Sequence, residues 1–100
     1  TTYAIRNTVI DGIDIKENDY ISLGDKGLLS TNSDIVKSIL SAYDKIREEK
    51  DSVVSIYYGE GITETDAKKI KAQFELLNKN LEVNIYEGGQ PIYYYYISIE

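Results

Sequence analysis

The apolar positions of this chain follow two rhythms. Where they recur every second residue, or run unbroken for a few residues, a strand is predicted; where they recur at spacings of three and four, an amphipathic helix is predicted. Residues 3–10 are rich in β-branched and aromatic side chains and stop at Asp11-Gly12, a dipeptide that favours positive φ, so a strand ending in a tight turn is expected. Ile13 and Ile15 alternate with Asp14 and Lys16, Glu17–Asp19 marks a second turn, and Tyr20–Leu23 runs into the turn-forming Gly24-Asp25-Lys26-Gly27. The first thirty residues are therefore read as β-rich.

Ile35, Val36, Ile39, Leu40, Tyr43 and Ile46 then draw one helical stripe. Thr31–Asp34 before it fits a capping box, with Thr31 accepting from the first turn and Asp34 reaching back, and Arg47–Asp51 is its solvated exit. Val53–Tyr58 is a mostly apolar run closed by Gly59-Glu60-Gly61, as expected of a central strand covered on both sides. Thr63–Asp66 repeats the capping signature, Ala67, Ile70, Phe74 and Leu77 form a second stripe to about residue 79, and Leu81–Tyr86 alternates. Residues 53–58, 64–79 and 81–87 thus compose a β-α-β unit with parallel strands. Gly88–Pro91 is a short connection, so the last run, Ile92–Ile99, is expected to fold back antiparallel beside residues 81–87.

The fold class read from these elements is α/β, with α+β left open: a mixed sheet, two amphipathic helices, an N-terminal β-hairpin region, one β-α-β unit and a C-terminal antiparallel hairpin. One domain over residues 1–100 is expected, and the start at Thr1 suggests a piece of a longer polypeptide. Two helices cover one face of such a sheet better than both faces. Side-chain alternation through Tyr93-Tyr94-Tyr95-Tyr96 then turns either Tyr94 and Tyr96, or Tyr93 and Tyr95, toward solvent or a partner.

Composition narrows the chemistry. With 0 Cys and 0 His the chain has no disulfide, no thiol nucleophile and no neutral-pH acid–base, and a zinc or iron–sulfur site is not expected. A net charge of -6 opposes binding to nucleic acid and to anionic membrane surfaces and favours a basic partner. No apolar run reaches the length of a bilayer span, and no signal-peptide core precedes Tyr3, so the chain reads as cytoplasmic.

Three clusters could carry chemistry, and each has a plainer reading. Gly59-Glu60-Gly61 ahead of a capped helix resembles a phosphate-cradling turn but lacks a third glycine, and Glu60 would repel the phosphate; a strand-to-helix loop explains it better. Asp25 beside Lys26 is better read as a hairpin turn than as a base and an electrophile. Asp11, Asp14, Glu17, Asp19 and Asp25 lack the spacing of a calcium loop and read as a solvated edge. The tyrosines differ, because their binding and core readings weigh equally. Residues 80–100 hold three Glu and no Lys or Arg, so the surface they form is expected to be acidic and aromatic, with Glu87, Gln90, Tyr94, Tyr96 and Glu100 as the contact residues for a partner bearing Arg.

Ile10-Asp11-Gly12 with Ile15, Asp19-Tyr20-Ile21, Gly59-Glu60-Gly61 and, most specifically, Glu87-Gly88-Gly89-Gln90-Pro91-Ile92-Tyr93 with Ile97–Glu100 resemble the C-terminal domain of the bacterial fatty acid kinase A-subunit over the whole chain. The resemblance implies a parent kinase in which an N-terminal dihydroxyacetone-kinase-like domain binds ATP and magnesium and a middle domain follows. It implies that this last domain, itself without cofactor, engages a fatty-acid-binding subunit that presents an acyl carboxylate for phosphorylation. The implied fold is an α/β fold similar to that of the lipid-binding partner. One departure is visible: Tyr94 stands where the family pattern has proline, which suggests an edge strand with the Tyr94 N–H turned outward. Two other functions stay open at this level, a small-ligand domain binding a nucleotide or acyl phosphate near Gly59–Thr63, and a self-association domain.

Overall fold

The computed structural model describes residues 2–7, 20–24, 27–48, 52–91 and 93–100. Six strands and two helices follow in the order β1 (Thr2–Asn7), β2 (Tyr20–Gly24), β3 (Gly27–Asn32), α1 (Ile35–Ile46), β4 (Val53–Tyr58), α2 (Glu64–Leu77), β5 (Glu82–Glu87) and β6 (Tyr95–Ile99). The strands form a single mixed sheet in the order β3-β2-β1-β6-β4-β5. The expected turns at Asp11-Gly12 and Glu17–Asp19, the alternation at Ile13 and Ile15, the acidic cluster Asp11, Asp14, Glu17, Asp19 and Asp25, and the Asp25-Lys26 turn lie outside the described residues.

The local pattern explains each helix. Both stripes bury one face, through Ile39, Ala42 and Tyr43 on α1 and Ala67, Ile70 and Phe74 on α2. Thr63 caps α2 as read, accepting from the Asp66 N–H at 3.1 Å. At α1 the cap shifts by three residues. Asp34, not Thr31, is the N-cap: its carboxylate accepts from the Val36 and Lys37 N–H groups, while Asn32 Oδ1 accepts from Asp34 N–H at 2.9 Å. Thr31 is held in β3 by pairing with Ile21 and cannot cap a helix that begins four residues later.

β4 and β5 are parallel across α2, so the β-α-β unit is present. The C-terminal hairpin is not. β6 runs antiparallel between β1 and β4, and β5 is left on the edge, paired to β4. Gly88–Tyr94 therefore carries the chain across the end of β4 instead of turning back on β5: the Gly88 and Gly89 N–H groups reach the Tyr58 carbonyl, and Gly59 N–H reaches the Tyr94 carbonyl at 2.7 Å. The outward Tyr94 N–H expected of an edge strand is corrected in the same way, since it donates to the Ile5 carbonyl at 2.8 Å.

The register shows which face each helix covers. Tyr3, Ile97, Ile56 and Ile85 form one lateral row, and Ile99, Val54 and Val83 form another on the same face. α1 lies over β2 and β3 and α2 over β4 and β5 on this face. Tyr3 Oη donates to the Ile39 carbonyl at 2.9 Å. Buried Ser22 and Ser30 both hydrogen-bond to Ser38, three small residues that let α1 sit close to the sheet. Tyr43 meets Phe74 edge-on at 5.1 Å where the helices touch. β4 is internal as read but covered by the described helices on one face only, with Tyr57 on the other and 39% exposed.

Phe74 is fully buried at this helix–helix contact. Phe74→Ala is expected to cost about 3–5 kcal/mol in chemical denaturation, the range for removing a buried ring without collapse of the site.

Candidate functional site

Alternation along each strand turns the other half of the side chains onto the face that no described helix covers. One lateral row there crosses all six strands: Leu28, Leu23, Ala4, Tyr96, Tyr57 and Tyr86, each registered against the next. Every member is apolar or aromatic. Leu28 is 46% exposed and Tyr86 47%. The adjacent row, Thr2, Ser98, Ser55 and Asn84, is polar and uncharged. The Tyr57 and Tyr86 rings stack at 5.2 Å with 24° between their planes.

The four consecutive tyrosines divide two and two between the faces, but in pairs that simple alternation does not produce. β6 begins at Tyr95, and the chain bends at Tyr93–Tyr94 on entering it. Tyr93 consequently joins Tyr96 on the uncovered face, with ring centroids 5.4 Å apart. Tyr94 joins Tyr95 on the helix side, where its ring lies 5.9 Å from that of Tyr20. The bend is braced from below. Tyr93 N–H donates to the Pro91 carbonyl, Glu60 N–H to the Gln90 carbonyl at 2.9 Å, and Gln90 Nε2 to the Tyr57 carbonyl at 3.0 Å. A Cβ at Gly59 would collide with the Tyr93 and Gln90 carbonyl oxygens, and Gly89 sits at φ 66°, so these glycines are needed for backbone geometry.

The five residues expected to form the contact surface therefore do not converge. Tyr96 lies on the uncovered face. Gln90 ties its connection to Tyr57, Tyr94 packs on the helix side, and Glu87 registers with Tyr58, which faces the helices. Glu100 closes the opposite end of β6, its carbonyl accepting from Ser52 and Val53 N–H. Tyr57, Tyr86 and Ala4 are members of the row that sequence reasoning missed. Their signal lies in the register, which lines up β1, β4 and β5 with β6 in one sheet. Of the acidic residues near the C-terminal rings, Glu87 lies toward the helix side, while Glu100 pairs with Val53 in the row of Glu82 at one end of this face, and Arg6 lies at the other end.

A crevice of about 410 Å3 opens between the N-terminal turns of the two helices, lined by Tyr20, Ile35, Ile62, Asp66, Lys69 and Tyr94 among others. It lies beside Gly59–Thr63, the place of the alternative phosphate-bearing ligand. Asp34 occupies the Val36 and Lys37 amides, Thr63 occupies that of Asp66, and the Asp34 and Asp66 carboxylates stand at these helix ends, so an anion would meet three occupied donors and like charge nearby. Among the described residues, no group of three or more acidic side chains is placed to hold a metal ion, and no helix is long and apolar enough to cross a membrane.

The family of fatty acid kinase A-subunit-like C-terminal domains matches residues 1–100. The chain belongs to this family. It is 30% identical over 99 residues to an uncharacterized protein of Staphylococcus aureus (strain bovine RF122 / ET3-1) and, at the same identity and length, to protein YloV of Bacillus subtilis (strain 168). An uncharacterized protein of Staphylococcus aureus (strain USA300) is 29% identical over 99 residues. Each comparison covers 99% of this chain and 18% of the relative, so the chain spans under a fifth of the length of these curated relatives. Two of the motifs that carry the family resemblance, Gly59-Glu60-Gly61 and Glu87–Pro91, meet at the end of β4, where they brace the bend that places Tyr93.

Gly59→Ala is expected to cost about 1–3 kcal/mol, the range for forcing atoms into a packed site, and to separate the Tyr93 and Tyr96 ring signals from their native positions in NMR spectra. Burial pushes the Tyr95 phenol up to about 12, with the Asp66 carboxylate adding to the effect, and burial followed by Tyr43 holds Tyr3 well above its ordinary value. The unfolded chain loses these protons first, from about pH 10. Their contribution is thus intact below pH 10 and lost as the pH rises toward 12. Denaturation curves at stepped pH should show stability falling through this window, and Tyr95→Phe should flatten the fall.

Proposed function

We propose that this chain is a non-catalytic docking module of a fatty acid kinase, and that its uncovered sheet face holds the fatty-acid-binding subunit. Docking there brings the subunit's acyl carboxylate to an ATP- and magnesium-binding domain elsewhere in the cytoplasmic parent polypeptide. The domain contributes proximity and leaves bond making to others. Membership of the kinase-subunit family supports the setting. The observation that carries the location is the unbroken apolar and aromatic row across six strands, with no described element covering it.

The chemistry of the face supports this reading. Interface centres are rich in Tyr and Arg and poor in Lys, Glu and Asp, and the described part of this face has that balance. Tyrosine rings supply large rigid contact area at little entropic cost, and their hydroxyls keep the free face soluble. Polar Thr2, Ser98, Ser55 and Asn84 beside the row suit a rim. The remaining kinase domains are the other expected contacts of the module.

Tyr57→Ala with Tyr86→Ala tests the location. Both rings are exposed and outside the core, so thermal unfolding should be nearly unchanged. Calorimetric titration with the purified fatty-acid-binding subunit should lose about 2 kcal/mol or more, as for buried aromatic anchors at interfaces. Undiminished affinity would place docking elsewhere, and no association by the unsubstituted chain would remove the function itself. Concentration-dependent mass in sedimentation, with no response to the subunit, would point instead to self-association.

A further inference from the structure

The open sheet ends in two edge strands, β3 and β5, and the chain treats them differently. β3 is blunted twice. Its register against β2 shifts at Ser22/Leu23, leaving Leu29 as an extra residue, and the Lys45 ammonium of α1 donates to the Leu29 carbonyl. A bulge and a lysine are devices by which sheets discourage another strand from joining. β5 contains no lysine and no proline, and it registers with β4 without a break from Glu82 to Glu87.

Backbone direction shows what this second edge offers. Glu82 N–H donates to the Ser52 carbonyl at 2.8 Å and Gly88 N–H to the Tyr58 carbonyl at 2.9 Å, both toward β4. In a parallel pair the N–H and C=O of one residue point to the same side, and the side alternates along the strand. Glu82, Asn84 and Tyr86 therefore bond to β4. The N–H and C=O groups of Val83, Ile85 and Glu87 point the other way, where no described strand pairs with them. Three donors and three acceptors at alternate residues are a template for an added strand.

The side chains say what suits the template. Ile85 is half-buried on the helix side and Tyr86 is 47% exposed on the uncovered face, so each face shows an apolar side chain at the middle of the edge. β5 itself carries Glu82 and Glu87 at its two ends and no basic residue. A second copy of this chain would bring a further charge of -6 against the first, which opposes self-pairing. The aromatic row also ends here, at Tyr86, and a seventh strand would continue it.

Resting on the docking reading above, we infer that β5 is a strand-addition site: an extended segment of the fatty-acid-binding subunit joins the sheet beyond β5, pairs with the Val83, Ile85 and Glu87 backbone, and lays an apolar or aromatic side chain against Tyr86. In this mode main-chain hydrogen bonds supply affinity and alternate side chains supply specificity. The subunit thus lies on the uncovered face and reaches round its edge.

Amide exchange in the full chain, followed by NMR with and without purified subunit, reads the pairing directly. In the free chain Val83, Ile85 and Glu87 should exchange quickly while Asn84 and Tyr86 are protected. Saturating subunit should slow the first three by about tenfold or more, as for amides that enter a ladder. Glu87→Pro removes one outward N–H and no bond to β4, a position where edge strands tolerate proline. It should weaken calorimetric binding by about tenfold, the scale of a carbonyl left without its donor, whereas Glu87→Ala should stay within about twofold. If Glu87→Pro fails to fold, the exchange pattern of the unsubstituted chain decides the matter.

The outcomes separate the two claims. Unchanged exchange at Val83, Ile85 and Glu87 with subunit bound, together with weakened Tyr57→Ala/Tyr86→Ala, overturns strand addition and leaves docking on the face. No association by the unsubstituted chain overturns both. Protection of the three amides on raising the concentration of this chain alone overturns the subunit as occupant in favour of a second copy.

Discussion

The position of β6 is the constraint on which the molecule depends. The antiparallel strands β3, β2 and β1 and the parallel unit β4-α2-β5 are joined in the sheet through this last strand, which hydrogen-bonds to β1 on one side and β4 on the other. Its core side chains Tyr95, Ile97 and Ile99 are all buried, and they continue the lateral rows of both halves. Removing β6 would leave two small pieces, each with an open apolar face and an unpaired inner edge. Such pieces fall below the size at which a single core is readily self-sufficient.

The same insertion generates the surface. Because β6 lies beside β1, Tyr96 stands next to Ala4; because it lies beside β4, Tyr96 also stands next to Tyr57 and, through it, Tyr86. Had the chain turned back beside β5, the tyrosines would have lined an edge and the row would have broken. The glycine-rich connections serve this geometry. Gly59 gives the Gly88–Tyr93 segment room to cross the end of β4, and Gln90 pins it to the Tyr57 carbonyl. The most specific part of the family resemblance is thus explained by backbone crossing and not by chemistry on a ligand.

What could be read beforehand was what depends on neighbours in sequence. The two helices, the Thr63 cap and the parallel β-α-β unit follow from periodicities within a few residues, and an uncovered sheet face follows from having two helices to cover it. The place of β6 could not be read that way, since its partners lie some ninety and forty residues earlier in the chain and the short Gly88–Pro91 link imitates a hairpin. The tyrosines failed for a related reason. Period-two alternation holds inside a strand, and the strand starts two residues later than the aromatic run, so Tyr93 and Tyr94 change places. Charge was legible only in part: Glu87 and Glu100 are close to the rings in sequence, yet Glu87 registers with Tyr58 toward the helix side, while Glu100 pairs with Val53 at the far end of the uncovered face.

The central claim is that docking uses the uncovered face and leaves the helix side untouched. Tyrosine ring resonances, assigned by single substitutions and followed by NMR during titration with the fatty-acid-binding subunit, test it at ten positions spread over both faces. The account predicts that Tyr57, Tyr86, Tyr93 and Tyr96 shift or broaden together while Tyr3, Tyr43 and Tyr95 stay in place. Perturbation confined to Tyr20 and Tyr94, which line the crevice between the helices, would contradict it.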